Sequence, residues 1–447
     1  MVGRFSGVLV AALLLACSPE DITPGALALT LGHETDTWSL TPAPVRVELR
    51  KLLADGTRVE LGRAPAPIAR VSLGEGADGV FEVAGLDADD ARRVTGRSVA
   101  LSPAGLAGMV LPLFVGRADR FSRPPGELSS ARGERPRVAV VGGRHFLVAE
   151  AAADGGITLD GYDFGVFAPH RAYPPLTCPS EPCAPRSLAV VDATLAVVIG
   201  DDFGLTLDTA SGATSSFAPP DGLASCAELA GARAVERGDG SACLVGATRD
   251  APPSSAVLCV SADGEPTVLR LATPRAGAAA TWLAGRGLVV AGGSASGPGA
   301  ELLADGATAF ASLPFPPDPT RGAALAPLDA DSALRLGGRD DAGEPAPTVR
   351  LALGCANDCQ AEAASPDLAL DRAEAFGFDG GVIIVVGDGP DGLSAAFRRD
   401  DASATPLPLR EPRRGATASR TPTGAVALVG GAHPDGTPAT TLELVLP

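Results

Sequence analysis

The chain has 447 residues, of which 36 are basic and 53 acidic, so its formal net charge is −17. Because non-specific nucleic-acid binding depends on Lys and Arg neutralising phosphates, a chain this acidic is not expected to bind DNA or RNA. The chain contains 55 glycines and 40 prolines while 45% of its residues are hydrophobic, which favours a folded, turn-rich protein over a disordered one.

The first segment has the features of an export signal. Arg4 precedes an apolar run from Gly7 to Leu15, and this run is too short to cross a bilayer as a stable helix. We therefore expect residues 1–16 to be a signal peptide that is removed from the mature protein.

The apolar run ends in Leu14-Leu15-Ala16-Cys17, which resembles the lipobox of bacterial lipoproteins. The resemblance implies that the Cys17 thiol receives a diacylglycerol, that residues 17–26 form a tether, and that Ser18 permits sorting to the outer membrane. The prediction is an exported protein held to a membrane by lipid, facing the periplasm or the cell surface. The alternative is an ordinary secretory signal that happens to contain a cysteine.

Residues 27–118 contain segments in which apolar and polar residues alternate, separated by Asp-Gly and Gly-rich turns. They predict a small β-sandwich that is similar to an immunoglobulin or fibronectin type III module. The segments are Val45–Leu49, Thr57–Leu61, Ala69–Leu73, Val80–Val83 and Met109–Val115. Residues 119–135 follow as a linker.

Residues 136–447 contain a repeat. Apolar runs that end in glycine recur with spacings of 46, 46, 45, 50 and 43 residues, at Gly200, Gly246, Gly292, Gly337, Gly387 and Gly430. A second apolar segment and a tight turn precede each glycine, and a third segment follows it. Short strands at this period are typical of propeller blades.

Several units open with arginine and end in a glycine pair, as in Arg321-Gly322-Ala323 before Gly337-Gly338. This pattern resembles the kelch repeat, although the Tyr and Trp that usually follow the kelch glycine pair are missing. One further period before Gly200 adds a first unit, so residues 136–447 divide into seven units of about 45 residues. The resemblance implies an all-β fold with a seven-bladed propeller, whose last unit would receive its closing strand from the segment Asp119–Leu128.

Seven cysteines remain besides Cys17. Cys178 with Cys183, and Cys355 with Cys359, could close short loops as disulfides, which form in exported proteins. Cys226, Cys243 and Cys259 would then supply one bridge and one free thiol, in a pairing that the spacing leaves open. The four histidines are scattered along the chain, so the spacing favours no metal site.

The loops after the repeat glycines are acidic and are expected on one face of the propeller. Clustered carboxylates could bind Ca²⁺ or a cationic partner, but they could equally form a solvated rim. The candidate ligands are Asp201, Asp202, Asp340, Asp341, Asp388, Asp391 and Asp435, with Asp250 in an equivalent loop. The arginines that open the inner strands are expected near the same face, at Arg186, Arg275, Arg321, Arg372 and Arg414.

The chain has few residues of the types that often act in catalysis or bind cofactors. It contains four His, two Tyr, two Trp and a single Lys. A radical copper site would need Tyr, Cys and His converging at the propeller centre, and no nucleophile elbow stands out. We therefore predict a non-catalytic, monomeric binding or scaffolding module whose partner is an envelope protein or a small ligand. The alternative is an envelope hydrolase or oxidase that uses the central pocket of the propeller.

Overall fold

The computed structural model describes residues 25–73, 78–128, 133, 135–152, 155–170, 173–178, 183–191, 194–237, 241–260, 265–355, 357 and 359–447. The predicted signal peptide and Cys17 lie outside the described residues. Besides strands, the described chain contains short 3-10 helices at Pro103–Leu106, Cys226–Leu229, Gly246–Thr248 and Asp379–Gly381. Within these ranges no helix is long and apolar enough to cross a membrane.

The N-terminal domain is one seven-stranded sheet with the order β3-β2-β5-β6-β7-β1-β4. Its strands are β1 (Ala26–Thr30), β2 (Arg46–Leu52), β3 (Arg58–Pro65), β4 (Arg70–Ser72), β5 (Gly79–Leu86), β6 (Arg92–Leu101) and β7 (Val110–Arg117). Strand β7 pairs in parallel with β1 along its first half and antiparallel with β6 along its second half. Where the sequence predicted a two-layered sandwich, the domain has one continuous sheet, which curls around a core that includes Leu27, Val47, Phe81 and Leu113.

The rest of the chain forms a seven-bladed β-propeller, so the predicted all-β fold class is confirmed. The first three blades are β8 (Arg137–Val141), β9 (His145–Ala151), β10 (Ile157–Asp163) and β11 (Ala168–Pro169); β12 (Ser187–Val190), β13 (Leu195–Ile199), β14 (Gly204–Asp208) and β15 (Thr214–Ser216); and β16 (Arg233–Glu236), β17 (Ala242–Val245), β18 (Ser254–Val260) and β19 (Pro266–Arg275). Within each blade the strands are antiparallel neighbours in chain order, because short turns connect them.

Blades 4 to 7 repeat this arrangement. They are β20 (Ala279–Leu283), β21 (Gly287–Ala291), β22 (Ala300–Ala304) and β23 (Ala311–Leu313); β24 (Ala324–Asp329), β25 (Ser332–Leu336), β26 (Val349–Ala352) and β27 (Ala361–Ala363); β28 (Asp371–Gly377), β29 (Ile383–Asp388), β30 (Ser394–Asp400) and β31 (Ser403–Pro406); and β32 (Thr417–Arg420), β33 (Val426–Val429) and β34 (Glu443–Val445). In blades 2 to 7 the apolar run that precedes the repeat glycine is the second strand of the blade. It is buried on both faces between neighbouring blades, which explains why it is mostly apolar; Arg335 of blade 5 is an exception.

The ring closes at the last blade. Strand β32 lies beside β8 of the first blade. Blade 7 has three strands of its own, and the linker pairs with the outer side of β34, where a fourth strand would lie. The Ser122 N–H donates to the Leu444 carbonyl (2.9 Å) and the Leu444 N–H donates back to Ser122 (2.8 Å). Phe121 is fully buried beside them, packed among side chains of blades 6 and 7. The fourth-strand position of blade 7 is thus occupied by chain that precedes blade 1.

Three disulfides stabilise the propeller. Cys178–Cys183 and Cys355–Cys359 close the short loops that the sequence predicted, so both pairings are confirmed. The third bridge joins Cys243 to Cys259, which are directly opposed on β17 and β18. Cys226 is the free cysteine among the described residues; it is buried, and burial raises the pKa of its thiol. The disulfides indicate an exported protein.

Candidate functional site

The acidic loop residues do not converge on one site. Asp201 pairs with Arg186 (3.0 Å) and Asp388 lies 3.8 Å from Arg372. A second set accepts backbone N–H bonds within its own loops: Asp340 from Ala342 and Glu344, Asp391 from Leu393, and Asp435 from Thr437. Asp202 and Asp341 are exposed on the rim. Within the described part of the chain, no group of three of these aspartates brings its carboxylate oxygens together.

The arginines that open the inner strands have divided roles. Arg275 is fully buried, where it bonds to Glu301 (3.0 Å) and donates to the Gly292 carbonyl (2.9 Å). In blade 7 the equivalent position is Arg413, one residue before the predicted Arg414, and it contacts Glu443 and Gly430 in the same way. Both arginines link strands within one blade.

The central channel is crossed by side chains. Arg233 of blade 3 donates to the Ala373 carbonyl of blade 6 (2.9 Å) and lies 3.8 Å from Glu374. Arg372 of blade 6 bonds to Asp250 in the loop between the second and third strands of blade 3 (3.0 Å). Blades 3 and 6 are not neighbours in a ring of seven, so these contacts span the channel. The alternative prediction of an envelope enzyme places its site in a central pocket, and here side chains of blades 3 and 6 meet across the channel.

Positive charge accumulates at the same level of the channel. Burial, together with the like charges of Arg233, Arg186 and Arg135, lowers the pKa of Arg137 to about 10. Burial raises the pKa of Glu374 even though Arg233 and Arg137 oppose the shift. The channel wall is therefore a confined, charged environment that is filled by its own side chains.

A second site lies between the two domains. A cavity of about 370 Å³ opens where the outer part of the N-terminal sheet faces blade 6 and the end of blade 7. Pockets for small molecules are commonly of this size and often lie at domain interfaces. Five arginines line the cavity, together with three carboxylates: Arg50, Arg58, Arg92, Arg97 and Arg398, with Glu48, Glu82 and Asp379.

The carboxylates do not neutralise this set of arginines. Glu48 bonds to Arg50 (2.7 Å) but also lies 3.3 Å from Arg63, outside the cavity. Glu82 is shared between Arg58 (3.8 Å) and Arg97 (3.7 Å). In addition, Nε of Arg97 is buried without a hydrogen-bond partner. Asp400, outside the lining, bonds to Arg398 (2.9 Å), and the lining itself holds five arginines against three carboxylates in a protein whose net charge is −17.

Contacts between the domains fix the walls of this cleft. Arg58 of β3 bonds to Asp379 in the first turn of blade 6, and Arg92 of β6 donates to the Pro447 carbonyl (3.0 Å). Burial lowers the pKa of Arg92, and the like charges of Arg50, Arg58 and Arg398 act in the same direction. Sequence reasoning missed this site because its arginines come from segments that are about 300 residues apart. The sequence signals were the alternating charges along β2 and the arginines of β6.

Two histidines and an aspartate that are separated along the chain lie close together in blade 1. The ligand atoms of His145, Asp163 and His170 all lie within 4.8 Å of one another. This is the one group of three or more His, Cys, Asp or Glu residues with such spacing in the chain as described.

No protein-family model and no curated protein matches the chain. Solved structures with a similar fold include the extracellular domain of a hybrid two-component system from B. thetaiotaomicron, with 8% identity and a TM-score of 0.46 over 73% of this chain and 39% of that chain. The mitotic checkpoint complex has 11% identity and a TM-score of 0.45 over 74% and 92%. Regucalcin, a calcium-binding protein from Agrobacterium tumefaciens, has 14% identity and a TM-score of 0.38 over 72% and 93%. The chain spans about two fifths of the B. thetaiotaomicron domain, and similarities this distant concern the fold alone.

Proposed function

We propose that this chain is a lipid-anchored, non-catalytic binding protein of the cell envelope that holds a small organic anion between its N-terminal sheet and its kelch-like propeller. The observation that carries the proposal is the convergence of five arginines on a cavity of about 370 Å³ in an acidic protein. Export is consistent with the three disulfides, and the anchor is assigned to Cys17 from the sequence.

Arginine suits recognition of carboxylates because its planar guanidinium presents paired N–H donors to both oxygens. Arg92 and Arg97 lie on one strand of the N-terminal sheet, whereas Arg398 comes from blade 6. An anion in the cleft would therefore contact both domains. Phe378, Val83 and Leu446 add apolar surface to the wall, so the ligand class with the best fit is an organic acid with a short carbon skeleton.

The lining favours binding over catalysis. Among its described residues there is no histidine or cysteine, and each of its carboxylates has an arginine partner. Nothing in this set of side chains combines a nucleophile with a base.

The binding proposal is tested by titrating citrate, glucuronate and inorganic phosphate into the protein while its thermal midpoint is followed. At least one organic acid is expected to raise the midpoint of the wild-type protein, by mass action on the folded state, and added NaCl should weaken the effect. Arg92→Gln with Arg97→Gln should weaken the affinity at least about tenfold, whereas Arg63→Gln, on the same sheet but outside the cavity, should not. An equal loss in both variants, or no response to any anion, would contradict the proposal.

The anchor is tested separately by expressing the full chain and a Cys17→Ala variant in a diderm bacterium that is fed a labelled fatty acid. The wild-type protein should carry the label and sediment with outer membranes, and the variant should lose both properties. Cross-linking and capture of the wild-type protein, with the variant as control, then tests the scaffold form of the proposal. A labelled Cys17→Ala protein would overturn the anchor.

A further inference from the structure

The first blade brings together three side chains that suit a transition metal. His145 begins β9 and Asp163 ends β10, and the two residues are direct partners in the strand register. His170 follows β11, and its backbone N–H donates to the Gly161 carbonyl of β10 (2.8 Å). The three residues therefore lie on three adjacent strands at one edge of the blade, which limits their relative motion.

The spacing of the atoms fits coordination. Nε2 of His145 lies 3.4 Å from Oδ2 of Asp163, too far for a strong hydrogen bond. Two ligands that bind one tetrahedral zinc ion at about 2.0–2.2 Å stand roughly 3.4 Å apart. The widest separation in the group, 4.8 Å, closes if the half-exposed His170 ring rotates toward the other two ligands. The imidazole rings of His145 and His170 already lie close together, with centroids 4.1 Å apart and planes tilted by 36°.

The carboxylate of Asp163 is held in place by its neighbours. Its Oδ1 accepts the Gly165 N–H (2.7 Å) and Nε of Arg144 (2.8 Å), while Nη2 of Arg144 bonds to Oδ2 (2.8 Å). Such partners orient a metal ligand and fix the direction of its free lone pairs. Because Arg144 is itself a cation, it reduces the affinity for a metal ion, so we expect moderate binding rather than a permanent structural metal.

Burial and the neighbouring His170 lower the pKa of His145. Burial acts to raise the pKa of Asp163, but the bonds from Arg144 and Gly165 outweigh it, so the pKa of this carboxyl is lowered.

We propose that His145, Asp163 and His170 form a binding site for a divalent transition-metal ion, with Zn²⁺ as the best-suited ion. Two imidazoles and one carboxylate are the donor set that zinc, nickel and copper accept, whereas calcium and magnesium prefer all-oxygen sites. Three protein ligands leave at least one coordination position to water or to an exogenous ligand. The site is independent of the arginine-lined cleft and of the anion proposed to bind there.

The test is isothermal titration of the full chain, purified in detergent without a histidine tag, with ZnCl₂. We expect one bound ion per chain, and with CoCl₂ in place of zinc we expect visible absorption bands of a histidine-ligated ion. The variant His145→Gln with His170→Gln should weaken zinc binding at least about tenfold. Asp163 is left intact because its bond to Gly165 also supports the turn.

The chain offers a matched control, because its two remaining histidines lie elsewhere at His33 and His433. The variant His33→Gln with His433→Gln should bind zinc as the wild-type protein does. Circular dichroism and thermal midpoints establish that both double variants are folded. Zinc affinity that is unchanged in the His145/His170 variant, equal loss in both variants, or no binding below millimolar zinc would each overturn the proposal.

Discussion

At the scale of single residues, the propeller depends on buried ion pairs that repeat between blades. Arg275 and Glu301 are both fully buried, and Glu301 also accepts the Ala272 N–H (2.7 Å). Arg413 and Glu443 occupy the same positions in blade 7. In both blades the guanidinium also binds the carbonyl of the repeat glycine, so one side chain joins the start of the inner strand, the end of the second strand and the third strand. This explains the arginine at the start of blades 4 and 7.

Removing one member of such a pair leaves the other charge buried without its partner. We expect Arg275→Ala to lower the free energy of unfolding by about 3–5 kcal/mol. Arg350→Ala is the control, because Arg350 is half-exposed and lies 3.8–3.9 Å from Asp329 and Glu362; its loss should cost less than about 1 kcal/mol. Urea denaturation followed by circular dichroism measures both values. Similar losses in the two variants would contradict the structural role of Arg275.

We expect Glu374, which lies in the channel, to make the stability of the protein depend on pH. Burial raises the pKa of Glu374, so this residue binds its proton more tightly in the folded protein than in the unfolded one. Its contribution to stability is therefore present below the ordinary glutamate pKa and is lost as the pH rises through the raised value. The unfolding free energy of the wild-type protein minus that of Glu374→Gln should decrease between pH 4 and pH 8. Denaturant titrations across this range measure the difference, and an increase would show that the sign is wrong.

At the scale of elements, the glycine pairs end the second strand of a blade and begin the loop that follows. Gly292 and Gly293 both have positive φ, at +77° and +73°. A Cβ atom on Gly293 would lie 2.7 Å from the Ala276 carbonyl oxygen, at the start of the inner strand of the same blade. The pair is therefore required by backbone conformation and by close approach together.

These two requirements can be separated by substitution. Gly343 has a similar φ of +83°, but a Cβ there would meet no atom within 4 Å. Gly343→Ala should cost about 1–2 kcal/mol for the left-handed conformation alone. Gly293→Ala should cost clearly more, because the backbone of blade 4 must also move. Equal costs in equilibrium denaturation would show that the close approach is unimportant.

The N-terminal sheet shows what local patterns fail to predict. Five of its strands overlap the predicted segments, but β1 and β6 were not predicted. Strand β6 begins with Arg92-Arg93 and carries Gly96 and Arg97 in its interior, so its alternation is weak. It becomes a strand because β5 and β7 pair with it on either side. The secondary structure of such a segment is determined by pairing with its neighbouring strands and not by its local sequence pattern.

At the scale of the whole molecule, ring closure and domain contact use the same linker. Ser122 completes blade 7, and the neighbouring Arg123 bonds to Glu34 of the N-terminal domain (2.8 Å) and to Glu411 of the propeller (2.8 Å). Closing the ring therefore positions the N-terminal sheet over blades 6 and 7. The arginine-lined cleft is a consequence of this placement.

Closure can be tested at one backbone N–H. Ser122→Pro removes the donor to the Leu444 carbonyl, whereas Ser122→Ala keeps it and serves as the control. Because the buried carbonyl would be left without that donor, we expect proline to cost about 1–3 kcal/mol more than alanine. Limited proteolysis should also cleave the proline variant faster around the linker. Equal stability of the two variants would mean that this bond is unimportant for closure.

The sequence by itself determined the number of blades, the position of each second strand and two of the three disulfides. These are local properties: the glycine spacing reports the length of a blade, and cysteines four or five residues apart have few other partners. It did not determine that Cys243 pairs with Cys259, which required the register of β17 against β18.

Only the tertiary structure brought the five arginines to one cleft, filled the channel with ion pairs from blades 3 and 6, and placed His145, Asp163 and His170 together. Each of these arrangements depends on how far one element is rotated and stacked relative to another. That geometry is set by ring closure and by packing between blades, and residues that are tens to hundreds of positions apart carry no local pattern that records it.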